Sequence, residues 1–350
     1  MIKSFAGWSK IIILVSGFYI LSQVSSVYLP VILAMIVAFV LNPVVNLFTA
    51  IPLGTRSRHL PKSAAILIVF LLSGIVMSIA ITFVFLPFIN EFNNFVIDLP
   101  HLSSRIKNLT TLLEQRANLA QLPDNIRSIL EEGLGGAASY AVGLVRGAIN
   151  TAFSFATQVI ELVVVPVLAY YFLKDWPTLK DSVVTIFPPS ARGKAITVMG
   201  EMAVVVSNYI RGQVLISIIM GLMVFCGMYF LQVDYPLVLG LLSTLTETIP
   251  ILGPIVGAIP AIVLAYLVSP VLATKVAVFY IILHQLENHI IVPNVMGHTI
   301  DLHPTLVIIS LLIGGHLYGI AGMILAVPVA AILKVLLRHL WNLDDLKKDG

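Results

Sequence analysis

Charge is what this sequence has least of: Asp, Glu, Lys and Arg make up 11% of its 350 residues, against roughly a quarter in soluble domains. So little charge cannot cover a soluble fold of this size, which leaves a polytopic membrane protein. Cysteine is nearly absent as well. The single thiol, Cys226, rules out an intramolecular disulfide framework and reads as a small buried hydrophobe. There is no G-x-x-x-x-G-K-[ST] to hydrolyse a nucleotide, no Ser nucleophile elbow and no Cys/His metal spacing. The net charge of +3 gives no reason to invoke nucleic acid. These absences imply no enzyme and no cofactor. Any energy comes from an ion gradient, from a solute's own gradient or from a separate partner.

What is present is apolar sequence: 59% of residues are hydrophobic and the mean hydropathy is +1.01. A crossing helix needs about 20 apolar residues, so the charge-free intervals read as spans. Residues 11–55 hold two, meeting near Tyr28-Leu29-Pro30, and no small-x-small cleavage site follows the first. Residues 63–90 give a third and 147–173 a fourth, interrupted only by Glu161. Residues 212–233 supply most of a fifth, starting near Ala203. Residues 235–274 form a sixth, broken element, 276–293 a seventh and 302–333 an eighth.

The expectation is therefore an all-α polytopic membrane protein of about eight transmembrane helices. Its organisation is residues 1–90 (three spans), 91–146 (a small helical extramembrane insert), 147–340 (spans four to eight) and 341–350 (a tail). Basic residues set the orientation. Lys3 and Lys10, Arg56 to Lys62, Lys174 to Lys194, and Lys334 to Lys348 place both termini on the cytoplasmic side. A re-entrant sixth element would lower the crossing count by one and move the C-terminus across. The insert holds six acids and five Lys or Arg, with Leu102, Ile106, Leu109, Leu112 and Leu113 at helical spacing. It reads as a structural hairpin on the non-cytoplasmic side that packs on the bundle or joins subunits, with a ligand-binding role as the alternative.

Ionisable residues inside spans are costly and point to function. Between Asp234 and Lys275 lie 40 residues, of which only Glu247 is charged. Pro250, Gly253, Pro254, Gly257 and Pro260 follow it, so the helix breaks there and its freed carbonyls and half-helix ends can meet a cation or a polar solute. The alternative is a structural kink with Glu247 as a cap. On the seventh span His284, Glu287 and Asn288 share one helical face beside Gln285, as a polar lining or as a buried network joining helices. Glu161 and Gln158 form a similar pair. Gly253/Gly257 and Gly315/Gly319 have the spacing of close helix packing, and the glycine-rich run 314–322 makes the eighth span irregular. Arg211 is a candidate gate or anion contact, or a snorkelling interfacial side chain.

Several stretches carry a resemblance. They are Tyr170-Tyr171-Phe172-Leu173-Lys174-Asp175, Tyr209-Ile210-Arg211-Gly212-Gln213 and Glu247-Thr248-Ile249-Pro250-Ile251-Leu252-Gly253-Pro254. Gln285-Leu286-Glu287-Asn288 with Pro293, Leu302-His303-Pro304, Gly319-Ile320-Ala321-Gly322 and Ala326-Val327-Pro328 follow. In order over residues 170–328 they resemble the autoinducer-2 exporter family of bacterial membrane transporters, with only the architecture similar before that. The resemblance implies about eight spans, an insert after the third, the bacterial inner membrane and homo-oligomers. It also implies export of a small polar solute such as autoinducer-2, or in other branches sodium or lithium/proton antiport. Position 247, often Asp or Asn in relatives, is Glu here. The site expected from both readings is Glu247, Pro250, Gly253, Pro254, His284, Gln285, Glu287 and Asn288, with a monovalent cation or proton at Glu247. A non-transporting scaffold or accessory subunit is the alternative of another class.

Overall fold

The structure is a computed structural model and describes residues 25–53, 58–95, 97–98, 143, 164–297 and 302–340. The expected first span before Ser25, most of the insert, Glu161 with Gln158, and the tail after 340 lie outside the described residues. The chain is all-α and polytopic, apart from a two-residue antiparallel pairing of β1 (Pro52–Leu53) with β2 (Arg58–His59). Five helical runs among the described residues are long and apolar enough to cross a membrane. Large apolar side chains cover their outer faces, Phe83, Leu71 and Phe230 among them. That exposure would be costly in water and suits lipid. The chain forms two compact units, residues 1–71 with 154–186, and residues 72–153 with 187–350.

The first unit pairs α1 (Ser25–Ala50) with α3 (Val164–Val184) and the first turns of α2 (Lys62–Ala80). Ala34, Ala65 and Ala169 are fully buried where these helices meet. Small residues at such seams matter because lipid tails are as apolar as leucine, so contact comes from close packing rather than from exclusion of water. α1 runs unbroken through Pro30, so the expected junction at 28–30 lies within a helix. α2 continues through a π-helical turn, Ile81–Phe85, and remains helical to Phe95.

The second unit is built on α4 (Arg192–Phe230). It begins eleven residues before the expected start near Ala203, because its first turns carry Arg192, Lys194 and Glu201, which a search for apolar residues passes over. At its far end α5 (Pro236–Thr246) turns back along it, and a Cβ on Gly221 would stand 2.8 Å from the Gly240 carbonyl oxygen. The sixth element is broken at Glu247, as expected, and its two halves double back. α6 (Leu252–Val268) lies antiparallel to α5, since a Cβ on Gly257 would stand 3.0 and 3.2 Å from Thr246 Oγ1 and Ser243 Oγ, and one on Gly253 would stand 2.7 Å from Glu247 Cα. At 1.5 Å per residue the arms are about 16 and 25 Å long, short of the roughly 30 Å hydrocarbon core.

Extended Ser269, whose hydroxyl accepts from Leu272 N at 3.1 Å, starts α7 (Pro270–Leu286). A π-helical turn, Glu287–Ile291, leads to α8 (Val292–Met296). This run lies antiparallel to α4, with Gly227 against Phe279 and with Met296 Cγ 2.9 Å from where a Cβ on Gly212 would stand. α9 (Pro304–Leu340) breaks at Tyr318 and Gly319, where φ is −136° and +60°. Eight residues apart, Gly314 and Gly322 would be about 12 Å apart along a straight helix. Instead a Cβ on Gly322 would stand 2.7 Å from the Gly314 carbonyl carbon. The eighth apolar stretch is therefore a second hairpin. Its last turns return to the beginning of α4, where Arg338 is ion-paired to Glu201 and His339 Nε2 lies 3.6 Å from the same carboxylate.

Candidate functional site

The tip of the first hairpin carries the lone acid. Glu247 is the residue at which α5 ends, and Ile251 takes a φ of +68° before α6 begins. Such a φ is rare for a β-branched residue, so the turn is held by its surroundings. Gly253 supplies the room, because any larger residue would collide with the Thr246 carbonyl and Glu247 Cα. Pro250 and Pro254 flank the turn and are half-buried. The outcome is a carboxylate only 3% exposed, on a broken helix.

Its partner is Glu287, 6% exposed, at the first position of the π-helical turn that ends α7. Such turns interrupt a helix locally and are frequent at functional sites. The Glu247 and Glu287 carboxyl groups lie within hydrogen-bonding reach of each other. On its other side Glu287 Oε2 is 3.1 Å from Nδ1 of His284, a half-exposed ring one turn earlier. Two facing carboxylates cannot both be charged in an apolar interior without a proton or a cation between them. The pair can therefore hold a proton or coordinate a small cation. Among the described residues no group of three or more His, Cys, Asp or Glu side chains is arranged to hold a metal ion.

α4 completes the cluster. Gln213 Nε2 donates to the freed Glu247 carbonyl oxygen at 2.5 Å, satisfying a group that the broken helix leaves open. Tyr209 and Ser217 lie one turn to either side on the same face. Their hydroxyls are buried and have no hydrogen-bond partner among the described residues. One turn above Glu247, Ser243 Oγ is 3.5 Å from the Tyr280 hydroxyl, which donates to Gly257 O at 3.4 Å. Replacing Gln213 by Leu is expected to destabilise the hairpin by about 1–3 kcal/mol. A lowered unfolding midpoint in detergent, with the Glu247 peptide more accessible to protease, would register it.

Of the residues expected from the sequence, the structure brings together Glu247, Glu287 and His284, with Pro250, Gly253 and Pro254 shaping the turn. Gln285, in α7, and Asn288, in the π-helical turn, are both exposed; two steps of about 100° set Gln285 roughly 160° around the helix from Glu287. Arg211 lies on α4 about 160° around the axis from Gln213. Gln213 entered sequence reasoning only within the stretch 209–213, and Ser243 and Tyr280 were not singled out. Their signal was there, since Ser243/Glu247 and Tyr280/His284/Glu287 repeat at i, i+4 and i, i+4, i+7.

Comparison with known proteins is consistent along nearly the whole chain. The family model described as "AI-2E family transporter" matches residues 10–342. "Putative transport protein YrrI" of Bacillus subtilis is 27% identical over 322 residues, covering 90% of this chain and 87% of that protein. "Putative transport protein YueF" of the same organism is 28% identical, covering 93% and 87%. "Putative permease PerM" of Escherichia coli K12 is 28% identical, covering 95% and 92%.

Proposed function

Because the chain belongs to the AI-2E transporter family, we propose that it is a gradient-driven secondary transporter that exports a small polar solute. In this reading the Glu247–Glu287 pair takes up a proton or a monovalent cation. The observation that carries it is the burial of two carboxyl groups against each other at the tip of a broken helix. Such an arrangement is costly unless it binds something, and discontinuous helices are where transporters place substrate and coupling-ion sites. The unpartnered hydroxyls of Tyr209 and Ser217 offer further polar groups along α4. The family suggests an autoinducer-2-like signal as the solute and the bacterial inner membrane as the location, with both termini cytoplasmic and the protein homo-oligomeric.

A second reading, monovalent cation/proton antiport, is favoured by the same pair, because exchange needs a carboxylate that trades a proton for a cation. The test is flux into liposomes carrying the purified protein, under an imposed proton or sodium gradient. Sodium, lithium, protons and a furanosyl signal are followed in parallel. Gradient-dependent movement of the furanosyl signal supports export, and cation movement alone supports antiport. If all four fluxes equal those of empty liposomes, the transport reading fails and a non-transporting scaffold takes its place.

A further inference from the structure

One arrangement in the second unit lies outside the carboxylate pair. Near the end of α2, Glu91 Oε1 accepts hydrogen bonds from Leu237 N at 2.9 Å and Val238 N at 3.2 Å. These are the first free amides of α5. Pro236 before them has no N–H, and Tyr235, at the cap position, contributes no side-chain cap. The start of a helix leaves its amides unsatisfied and carries the positive end of the dipole. A carboxylate from another helix meets both needs, so the first hairpin is capped from outside itself.

Two further contacts bind the same place. Phe95, 4% exposed, packs edge-on against the Tyr235 ring with centroids 5.0 Å apart. The Tyr235 hydroxyl donates to Asp98 Oδ2 at 2.5 Å. Burial, and then the Asp98 hydrogen bond and charge, push the Tyr235 phenol well above its ordinary range, so it remains a donor at neutral pH. The connection from α4 needs such support. Gln232 and Tyr235 both occupy the left-handed region, at φ +56° and +60°, which costs free energy for a residue other than glycine unless neighbours hold it there.

We propose that Glu91 is the positioning residue of the first hairpin: by capping α5 from α2 it fixes the hairpin's root, and thereby the placement of Glu247 against Glu287. α5 is eleven residues long and spans the whole distance between the two, so a shift at its first turn is carried to its last. The structural part stands by itself, and the consequence for flux rests on the transport reading above.

The experiment compares Glu91→Ala, Glu91→Gln and Tyr235→Phe in the full chain, by amide hydrogen exchange in nanodiscs together with liposome flux. Glu91→Ala should speed exchange of amides in residues 236–251 roughly five- to tenfold, the expected effect of losing a helix cap, while residues 214–228 stay unchanged. Glu91→Gln keeps an acceptor oxygen and should return exchange to within about twofold of the parent and restore flux lost in the alanine variant. Should Glu91→Ala fail to fold, Tyr235→Phe removes only the Asp98 hydrogen bond and should raise exchange over 236–240 alone. Exchange over 236–251 unaltered in Glu91→Ala, or in Tyr235→Phe if that variant stands in for it, overturns the proposal. Exchange raised as much in Glu91→Gln as in Glu91→Ala also overturns it. Faster exchange with flux unchanged overturns the positioning role. If the parent protein moves none of the four solutes, the transport reading fails while the exchange data still decide the cap.

Discussion

Glu247→Gln is expected to reduce gradient-driven flux in liposomes by about ten- to a hundredfold, the cost of losing one charged partner at a buried polar site. Gln preserves the shape of the side chain and its ability to hydrogen-bond to Glu287, so the hairpin should still fold. What is lost is the carboxylate that exchanges a proton for a cation. Antiport should disappear outright, whereas passage of a neutral solute down its own gradient should survive in part. Glu247→Asp, which keeps the charge on a shorter stem, should retain more activity than Gln. Flux within about twofold of the parent in Glu247→Gln, at matched protein incorporation, would remove Glu247 from the pathway.

Gly322→Val is expected to cost about 3 kcal/mol or more of stability. Its side chain would collide with the carbonyl group of Gly314, where the arms of the second hairpin come into backbone contact. Neither backbone can retreat without opening the turn at Tyr318 and Gly319. For a unit of this size the unfolding midpoint should fall by roughly 6–12 °C. Gly74→Val is the control, since nothing lies within 4 Å of a Cβ there, and it should leave the midpoint nearly unchanged. Equal behaviour of the two variants would mean that the second hairpin is not closely packed.

These two positions also mark how far the sequence could be read. Glu247 stood out because burial of a lone acid is costly and because prolines follow it, and both facts are local. Glu287 and His284 were legible from an equally local signal, their i, i+3 spacing on one helical face. Gln285 and Asn288, expected beside them, are exposed, and for Gln285 ordinary helical geometry already sets it about 160° from Glu287. The hairpins were harder still. Gly253/Gly257 and Gly315/Gly319 were read at four-residue spacing, as faces meeting separate helices. In the folded chain Gly253 and Gly257 meet the other arm of their own hairpin, and the decisive pair in α9 is Gly314 and Gly322, placed symmetrically about a turn. Apolar composition measures how much chain lipid can accept, and a reversal within that chain leaves composition unchanged. The early start of α4 was missed for the opposite reason, since a helix continuing past the apolar zone carries charge.

The trans-cap at Glu91 was beyond any local reading, because it joins residues 146 positions apart. Glu91 looked like the first residue of a charged insert. Only the path of α2 to Phe95 brings it to the root of α5.

The reversals at 247–251 and 318–319 bear on how the sidedness of this chain should be counted. Each returns the backbone to the end of α4 from which it set out, one at residue 230 and the other near Glu201. An excursion that returns adds an even number to any tally of crossings. Counting the sixth and eighth apolar stretches as single crossings therefore gives each of them the wrong parity, and the two errors cancel. Residues 192 and 340 belong on the same face of the bilayer, whichever face that is. Reporter fusions at those two positions should give the same signal, and one inserted between Gln232 and Asp234 should give the opposite one.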